Sequence, residues 1–240
     1  MGSAAEVKPE KIRILNWSTG KDAAYCLWLL QKQNIRVDVL LTTLSSSVDR
    51  VSMHGVRNSL LKRQAAAVGL PLHTISIPDP CDIETYNSLM MSALKQYEKF
   101  DVKTSVFGDI FLDDLRLYRE QQLAKEGFGA EFPLWKADTG QLARDMIRAG
   151  FKALVVCVSE AKLDKSFCGR DFNQSFLGDL PAGVDPCGEN GEFHTFVYDG
   201  PVFSKAVRIR KGKTVLHSYK RSETENEFDA DFFYCDLLPY

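Results

Sequence analysis

Residues that could bind a ligand or take part in a reaction are concentrated in two short stretches. The first is Ser18–Asp22. It follows an apolar run of strand length, Ile12–Trp17, and precedes a segment with helical periodicity. A buried strand that turns directly into a helix directs free backbone N–H groups and the positive end of the helix dipole at one spot, which suits an anion. Lys21 adds a positive charge, and the Asp22 carboxylate could hold a metal that bridges phosphates. The alternative is an ordinary capped strand–helix connection.

The second stretch is Gly183–Thr195, which places two carboxylates, a histidine and several glycines between a proline and a strand. Glu189 and Glu192 could bind a metal, hold an ammonium group or move protons. His194 could act as an acid or base, or donate a hydrogen bond. The alternative is a glycine-rich turn with a solvated acidic face. Composition alone does not separate the two interpretations.

The first half of the chain has the alternating pattern that can position such groups. Its strands are predicted at 12–17, 36–43, 71–77 and 104–107, and its helices at 23–33, 56–68, 82–99 and 113–126. This order predicts right-handed βαβ units and a parallel sheet. Ligands bind beyond the carboxyl ends of such strands. We therefore expect Ser18–Asp22, the loop after Thr43, and Gly108–Ile110 to meet at one edge.

The pattern changes near residue 127, where we predict a domain boundary. The predicted α/β fold thus has a first, parallel-sheet domain at 11–127 and a smaller α+β domain at 128–220, after a flexible leader at 1–10. Strands are predicted at 151–159, 193–198, 202–210 and 214–219, with a hairpin turn at Lys211–Lys213. From Glu223 to Tyr240 there are six acidic residues, no lysine or arginine, and several aromatics, so residues 221–240 are predicted to form an acidic tail docked through its aromatics.

Composition narrows the function classes. The chain has 240 residues and a net charge of −2, which disfavours a protein that depends on nucleic-acid backbone affinity. No apolar run is long enough to span a membrane. Six cysteines are scattered without zinc spacing, which predicts a reduced, cytoplasmic protein.

The first stretch resembles the phosphate loop Ser-Gly-Gly-Lys-Asp-Ser of the N-type ATP pyrophosphatases. Ser18, Gly20, Lys21 and Asp22 match that pattern. Thr19 replaces the first glycine, which requires a negative φ at this position. Ala23 replaces the final serine and removes one hydroxyl that could contact a phosphate.

The second stretch extends the resemblance. The run Gly188-Glu189-x-Gly191-Glu192-Phe193-His194-Thr195 resembles the diphthine–ammonia ligase family, a group with an adenine nucleotide alpha hydrolase-like ATP-binding domain. Further matches keep the family order across roughly residues 11 to 210. They are His54, Phe107–Ile110 with Arg116 and Glu120, Pro133–Trp135, Leu163-Asp164 and Gly169-Arg170.

The resemblance implies a ligase that adenylates a carboxylate, releases pyrophosphate, and then lets ammonia displace AMP to form an amide. In this family the carboxylate belongs to diphthine, a modified histidine of a protein. The resemblance implies ATP and Mg²⁺ as ligands, with Asp22 as the metal contact and Lys21, Glu189, Glu192 and His194 as catalytic residues. The implied ATP-binding residues are Ser18, Thr19, Gly20, Lys21, Asp22, Thr42, His54, Gly108, Asp109 and Arg116. The implied acceptor-binding residues are Gly188, Glu189, Glu192, His194 and Thr195.

Other functions stay open at this point. The same chemistry could act on another small carboxylate, or the chain could bind ATP or AMP without ligation. Sulfur transfer to tRNA is disfavoured, because it normally requires a catalytic cysteine pair and a basic surface. The expected partners are therefore ATP, ammonia and a carboxylate acceptor, either a small molecule or a modified protein side chain. A homodimer is also left open.

Overall fold

The computed structural model describes residues 10–219 and 230–240. Its first sheet is mostly parallel: β1 pairs with β2 and β5, β2 with β4, and β5 with β6. The short β3 pairs antiparallel with the end of β2. These strands are β1 (Lys11–Asn16), β2 (Val39–Ser45), β3 (Arg50–Val51), β4 (Leu72–Ile77), β5 (Val102–Val106) and β6 (Phe128–Glu131). The predicted α/β fold with a parallel sheet is confirmed, and β6 continues this sheet past residue 127.

Helices alternate with these strands, as the sequence pattern predicts. They are α1 (Lys21–Lys32), α2 (Asn58–Val68), α3 (Ile83–Lys95), α4 (Asp113–Lys125) and α5 (Thr139–Arg148). Asp82 begins α3 by accepting a hydrogen bond from the backbone N–H of Thr85. Asp138 caps α5 in the same way, by accepting a hydrogen bond from the backbone N–H of Gln141. Gly69 ends α2 with φ +79°, a conformation that favours glycine.

The second half forms an antiparallel sheet with the strand order β8-β7-β10-β9. Its strands are β7 (Lys152–Ser159), β8 (Phe193–Asp199), β9 (Ile209–Tyr219) and β10 (Ala230–Pro239), and the short helix α6 (Gln174–Asp179) lies between β7 and β8. No helix among residues 10–219 and 230–240 has the length and hydrophobicity needed to cross a bilayer.

Two sequence predictions for this second sheet are wrong. Residues 230–239, predicted as tail, form β10 and pair with both β7 and β9. The predicted turn at Lys211–Lys213 lies inside one continuous β9, because β10 pairs with this segment on both sides of the turn residues, and residues 202–208 of the predicted strand at 202–210 are not in a strand. The remaining predicted tail, 221–229, and the predicted leader up to residue 9 lie outside the described residues.

One core extends through both halves of the molecule. The α1 and α2 face of the first sheet packs into the same hydrophobic cluster as β7 and β8. Tyr25 and Trp28 of α1 make edge contacts with Phe151, which directly precedes β7. The opposite face of the first sheet packs against α3 and α4 in a separate cluster. The shared core fixes the loop before β8 against the carboxyl ends of β1 and β2.

Candidate functional site

A cavity of about 880 Å³ lies between the carboxyl ends of β1, β2 and β5 and the loop that precedes β8. Its size is within the range of small-molecule sites. The cavity brings together most of the residues singled out from the sequence. Those that line it are Ser18, Lys21, Asp22, Thr42, His54, Gly108, Asp109, Gly188, Glu189, His194 and Thr195.

The phosphate-side loop, Ser18–Asp22, has the strand–turn–helix geometry that the sequence predicts. Gly20 is the N-cap of α1 and provides no side chain for capping. A Cβ at Gly20 would lie 2.8 Å from the His54 ring, so the close approach of these two segments requires glycine. The first turn of α1 therefore presents backbone N–H groups and its dipole to the cavity, as an anion site requires.

Thr19 differs from the sequence prediction. Its φ is +74°, not negative, which is a rare conformation for a β-branched residue. Its carbonyl accepts hydrogen bonds from the backbone N–H of Val197 and from Nε2 of Gln64, both at 3.0 Å. Thr19 is fully buried and does not line the cavity. The loop thus keeps a glycine-like conformation despite the side chain.

Lys21 connects the two predicted sites. Its Nζ donates to both carboxylate oxygens of Asp22, at 3.0 and 2.9 Å, and to the carbonyl of Cys187. It also lies over the rings of Phe172 and Phe193, at 5.6 and 5.4 Å from their centroids. Burial lowers the pKa of Lys21, but the charge and hydrogen bond of Asp22, together with the nearby Cys187 and Glu189, outweigh this effect and the pKa is raised. Lys21 therefore remains positively charged at the base of the cavity.

Glu189 has the properties of a proton-transfer group. One of its oxygens accepts a 2.6 Å hydrogen bond from the backbone N–H of Ile110. Burial, together with the nearby Asp22 and Asp109 carboxylates, raises its pKa to about 7, against the opposing effects of Ile110 and Lys21. Glu189 can therefore take up or release a proton near neutral pH.

Glu192 has a different position from the one predicted. It is buried beneath the loop and is not among the residues that line the cavity. Its oxygens accept hydrogen bonds from the backbone N–H groups of Asp185 and Asn190 and from the Asn190 side chain, at 3.0–3.1 Å. The arrangement fits a residue that fixes the loop, not one that contacts a ligand.

His54 and His194 stack at the cavity wall with ring centroids 4.7 Å apart. His54 Nδ1 lies 3.0 Å from the carbonyl of Thr195, so this nitrogen carries the proton. Burial, followed by the effect of nearby Lys21, lowers the pKa of His194 to about 4. Burial and His194 lower the pKa of His54 well below its usual range. Both rings are therefore neutral at pH 7, and Nε2 of His194 has no protein partner among the described residues.

Arg116 lies outside the cavity lining, and Arg119 lies in it. Arg116 pairs with Glu120 at 2.8 Å and stacks on Phe132 and Trp135, which directs it away from the phosphate-side loop. Arg119 pairs with Asp109 at 2.6 Å. Both arginines belong to α4, and the sequence alone does not reveal which of them turns toward the cavity.

The cavity has a polar end and an apolar end. The sequence analysis did not predict the apolar side of the cavity, which is formed by side chains from β2, β4, α3 and α4. It also did not predict the polar lining residues Asn16 and Ser52. The apolar side includes Leu41, Ile77, Tyr86, Met90, Phe107 and Leu115. An apolar surface beside an anion site suits a nucleotide, which combines a flat base with phosphates.

The residues present fit a magnesium ion bound together with phosphates. No group of three metal-ligating side chains occurs among the described residues. Magnesium, however, usually takes one or two carboxylates and fills its remaining positions with water and phosphate oxygens. Asp22 lines the cavity at the first turn of α1, and the Asp22 and Asp109 carboxylates lie close enough to Glu189 to raise its pKa.

Comparison with known proteins agrees with this geometry. Residues 11–127 match the family model of the diphthamide synthase N-terminal domain, and residues 138–235 match that of the C-terminal domain. The diphthine–ammonia ligase of Danio rerio is 28% identical over 192 residues, which are 72% of this chain and 74% of that protein. The Homo sapiens protein of the same name is 26% identical over 189 residues, 72% of this chain and 71% of the relative. The Rattus norvegicus protein is 25% identical over 224 residues, 84% of each.

Proposed function

Because the chain belongs to the diphthamide synthase family, we propose that it is an ATP-dependent ligase that adenylates a carboxylate, releases pyrophosphate and forms an amide with ammonia. One observation supports this proposal above the others. The phosphate-side loop and the acceptor-side loop, Asp185–Glu192, face one cavity and are joined by the hydrogen bond from Lys21 to the Cys187 carbonyl. A ligase needs this proximity, because the activated acyl group must meet its nucleophile without leaving the site.

The part of the cavity beside the phosphate-side loop is suited to the first half-reaction, the adenylation of the carboxylate. The acceptor carboxylate attacks the α-phosphorus of ATP, and negative charge builds on the leaving pyrophosphate. The first turn of α1 and the Ser18 hydroxyl can hydrogen-bond that charge, and Lys21 supplies a fixed positive charge beside it. Asp22 would hold Mg²⁺, which when bound neutralises charge on the phosphates.

The part of the cavity beside the acceptor-side loop is suited to the second half-reaction, the attack of ammonia on the acyl group. Ammonia attacks the acyl carbon, AMP leaves, and the nitrogen must lose a proton. Glu189 can accept that proton because its pKa is raised to about 7. The neutral His194 ring has Nε2 free of protein partners, so it can hydrogen-bond the acyl group. Thr195 Oγ1 accepts the backbone N–H of Lys21 at 3.1 Å, and its own O–H remains able to donate to the acyl group.

We propose diphthine as the acceptor, since the relatives are diphthine–ammonia ligases. The free cysteines, none of which forms a disulfide, support a reducing, cytoplasmic setting. Another carboxylate with the same adenylation chemistry is the alternative acceptor.

The experiment measures pyrophosphate release from ATP in the presence of Mg²⁺, with diphthine-bearing acceptor and ammonium omitted singly and together. The proposal predicts full turnover only with both. Glu120→Gln, which alters a carboxylate paired outside the cavity with Arg116, serves as the control and should keep the wild-type rate. Nucleotide binding without turnover under all conditions would instead indicate a non-ligating module.

A further inference from the structure

Gln64 of α2 is a fully buried polar side chain, and its hydrogen bonds go to residues in or next to the phosphate-side loop and to β8. Its Oε1 accepts a hydrogen bond from the indole N–H of Trp17 at 2.8 Å. Its Nε2 donates to the carbonyl of Thr19 at 3.0 Å and to the carbonyl of Val197 in β8 at 2.6 Å. One amide group thus joins the end of β1, the loop and the second sheet.

Thr19 is the residue in this set that needs external support. Its φ of +74° is strained for a β-branched side chain, and such strain persists only where surrounding structure enforces it. The buried Oγ1 of Thr19 has no hydrogen-bond partner among the described residues, so the side chain itself does not stabilise this conformation. The carbonyl, in contrast, is held by Gln64 and by the N–H of Val197.

Fixing this carbonyl also fixes the next N–H group. In a trans peptide the C=O and the following N–H point in opposite directions. With the Thr19 carbonyl directed at Gln64, the Gly20 N–H is directed to the other side of the loop, where it meets the Ser18 hydroxyl at 3.4 Å. Ser18 lines the cavity. The orientation of this loop amide therefore depends on Gln64 together with the Val197 N–H.

We propose that Gln64 is a positioning residue for nucleotide binding: it holds Thr19 in a glycine-like conformation and thereby aims the loop amides at the phosphates. This inference rests on the proposed ATP site. It explains how the loop can have threonine where a left-handed backbone favours glycine, because an external amide supplies the restraint that the residue itself does not.

The test measures binding of a non-hydrolysable ATP analogue with Mg²⁺ to four proteins. Gln64→Leu should bind about tenfold more weakly than wild type. Asp236→Asn is the matched control, since Asp236 links β10 to Arg50 and Arg57 but does not contact the loop. It should bind within twofold of wild type. Adding Thr19→Gly to Gln64→Leu should recover most of the lost affinity, because glycine adopts positive φ without support.

A merely structural role for Gln64 gives a different result. If Gln64→Leu binds like wild type, or if Thr19→Gly restores no affinity, the positioning role is wrong while the ATP site stands. If wild type itself does not bind the analogue, the proposed function and this inference fail together.

Gln64→Glu is a second variant of the same size in case Gln64→Leu does not fold. Its affinity should fall as pH rises, because an ionised carboxylate would repel the Thr19 and Val197 carbonyls, and a pH-independent affinity equal to wild type would overturn the inference.

Discussion

The two loops that face the cavity are held in place in opposite ways. The phosphate-side loop is fixed from outside: the Thr19 carbonyl, the Lys21 amide and the Lys21 ammonium all bond to residues of the second half. The acceptor-side loop, Asp185–Glu192, is fixed mainly from within, because the carboxylates at its two ends accept hydrogen bonds from its own amides. Two further bonds, from Lys21 to the Cys187 carbonyl and from the Ile110 N–H to Glu189, tie it to the first half. Changes in the second half should therefore disturb ATP binding more than changes in the first half disturb the acceptor-side loop.

The two glutamates of the acceptor-side loop show the same contrast on a smaller scale. Glu189 faces the cavity, and burial beside other carboxylates raises its pKa to about 7. Glu192, three residues later, faces the interior and accepts three hydrogen bonds from the loop. Two carboxylates of one motif can thus have different roles, a chemical role for Glu189 and a structural role for Glu192. Only the direction of each side chain separates them.

The largest effect is expected for Lys21→Met. This change removes the charge at the start of α1 and the tie to Cys187, and leaves the Asp22 carboxylate without its partner. Pyrophosphate release should fall by about 10³-fold, since electrostatic groups at a developing charge contribute on this scale. Lys125→Met, at the exposed end of α4, is the control. A Lys21→Met rate within tenfold of wild type would contradict the assignment of the phosphate-side loop.

A smaller loss is expected for Glu189→Gln. Removing a general base typically lowers the rate by about 10²–10⁴-fold, and we expect the lower part of this range for amide formation. The base must be ionised, so at a fixed concentration of free NH3 the wild-type rate should rise with pH through about 7, the pKa of Glu189. Glu189→Gln should lose this rise. If the variant keeps the wild-type pH profile, another group accepts the proton.

Glu192→Gln should affect stability instead of chemistry. The new amide directs a donor at backbone N–H groups, and leaving buried donors unpaired costs about 1–3 kcal/mol. Urea unfolding should show this loss, while kcat of the folded protein stays within about fivefold. Unchanged stability combined with a rate loss as large as that of Glu189→Gln would restore the proton-transfer role that the motif implies.

The stacked His194 gives the smallest expected effect, seen in the pH dependence of stability. Its pKa is lowered to about 4 in the folded protein, so the unfolded chain binds more protons below about pH 6.5. This group should therefore remove roughly 1–2 kcal/mol of stability on going from pH 7 to pH 5. His194→Asn should lose that part of the pH dependence in urea titrations. An identical pH dependence in both proteins would place the His194 ring in a more solvated setting.

The sequence predicts the parallel half of this molecule well because local patterns determine it. The strand–turn–helix at Ser18–Asp22 is encoded within a few residues, and strand ends of a parallel sheet converge by topology. The second sheet depends on pairing between distant segments. The match of β10 with β7 and β9 has no local signal, so residues 230–239 read as an acidic tail.

The same reasoning separates what could and could not be predicted in the site. Residue types at strand ends indicate which segments meet, and Asp22, His54, Gly108 and Glu189 do line one cavity. Side-chain direction is set by packing that spans the chain. That is why Arg119 replaces Arg116 at the cavity, Glu192 turns inward, and Thr19 has a positive φ that Gln64 supports.

The most direct test of the central claim is the identity of the products formed from ATP. Wild-type protein with Mg²⁺, diphthine-bearing acceptor and ammonium should yield AMP, pyrophosphate and amide in equal amounts, and Lys21→Met should yield almost none. Formation of ADP and phosphate would contradict the account, because it would mean that the acceptor is activated at the γ-phosphate and that the cavity between the two loops does not form an acyl-adenylate.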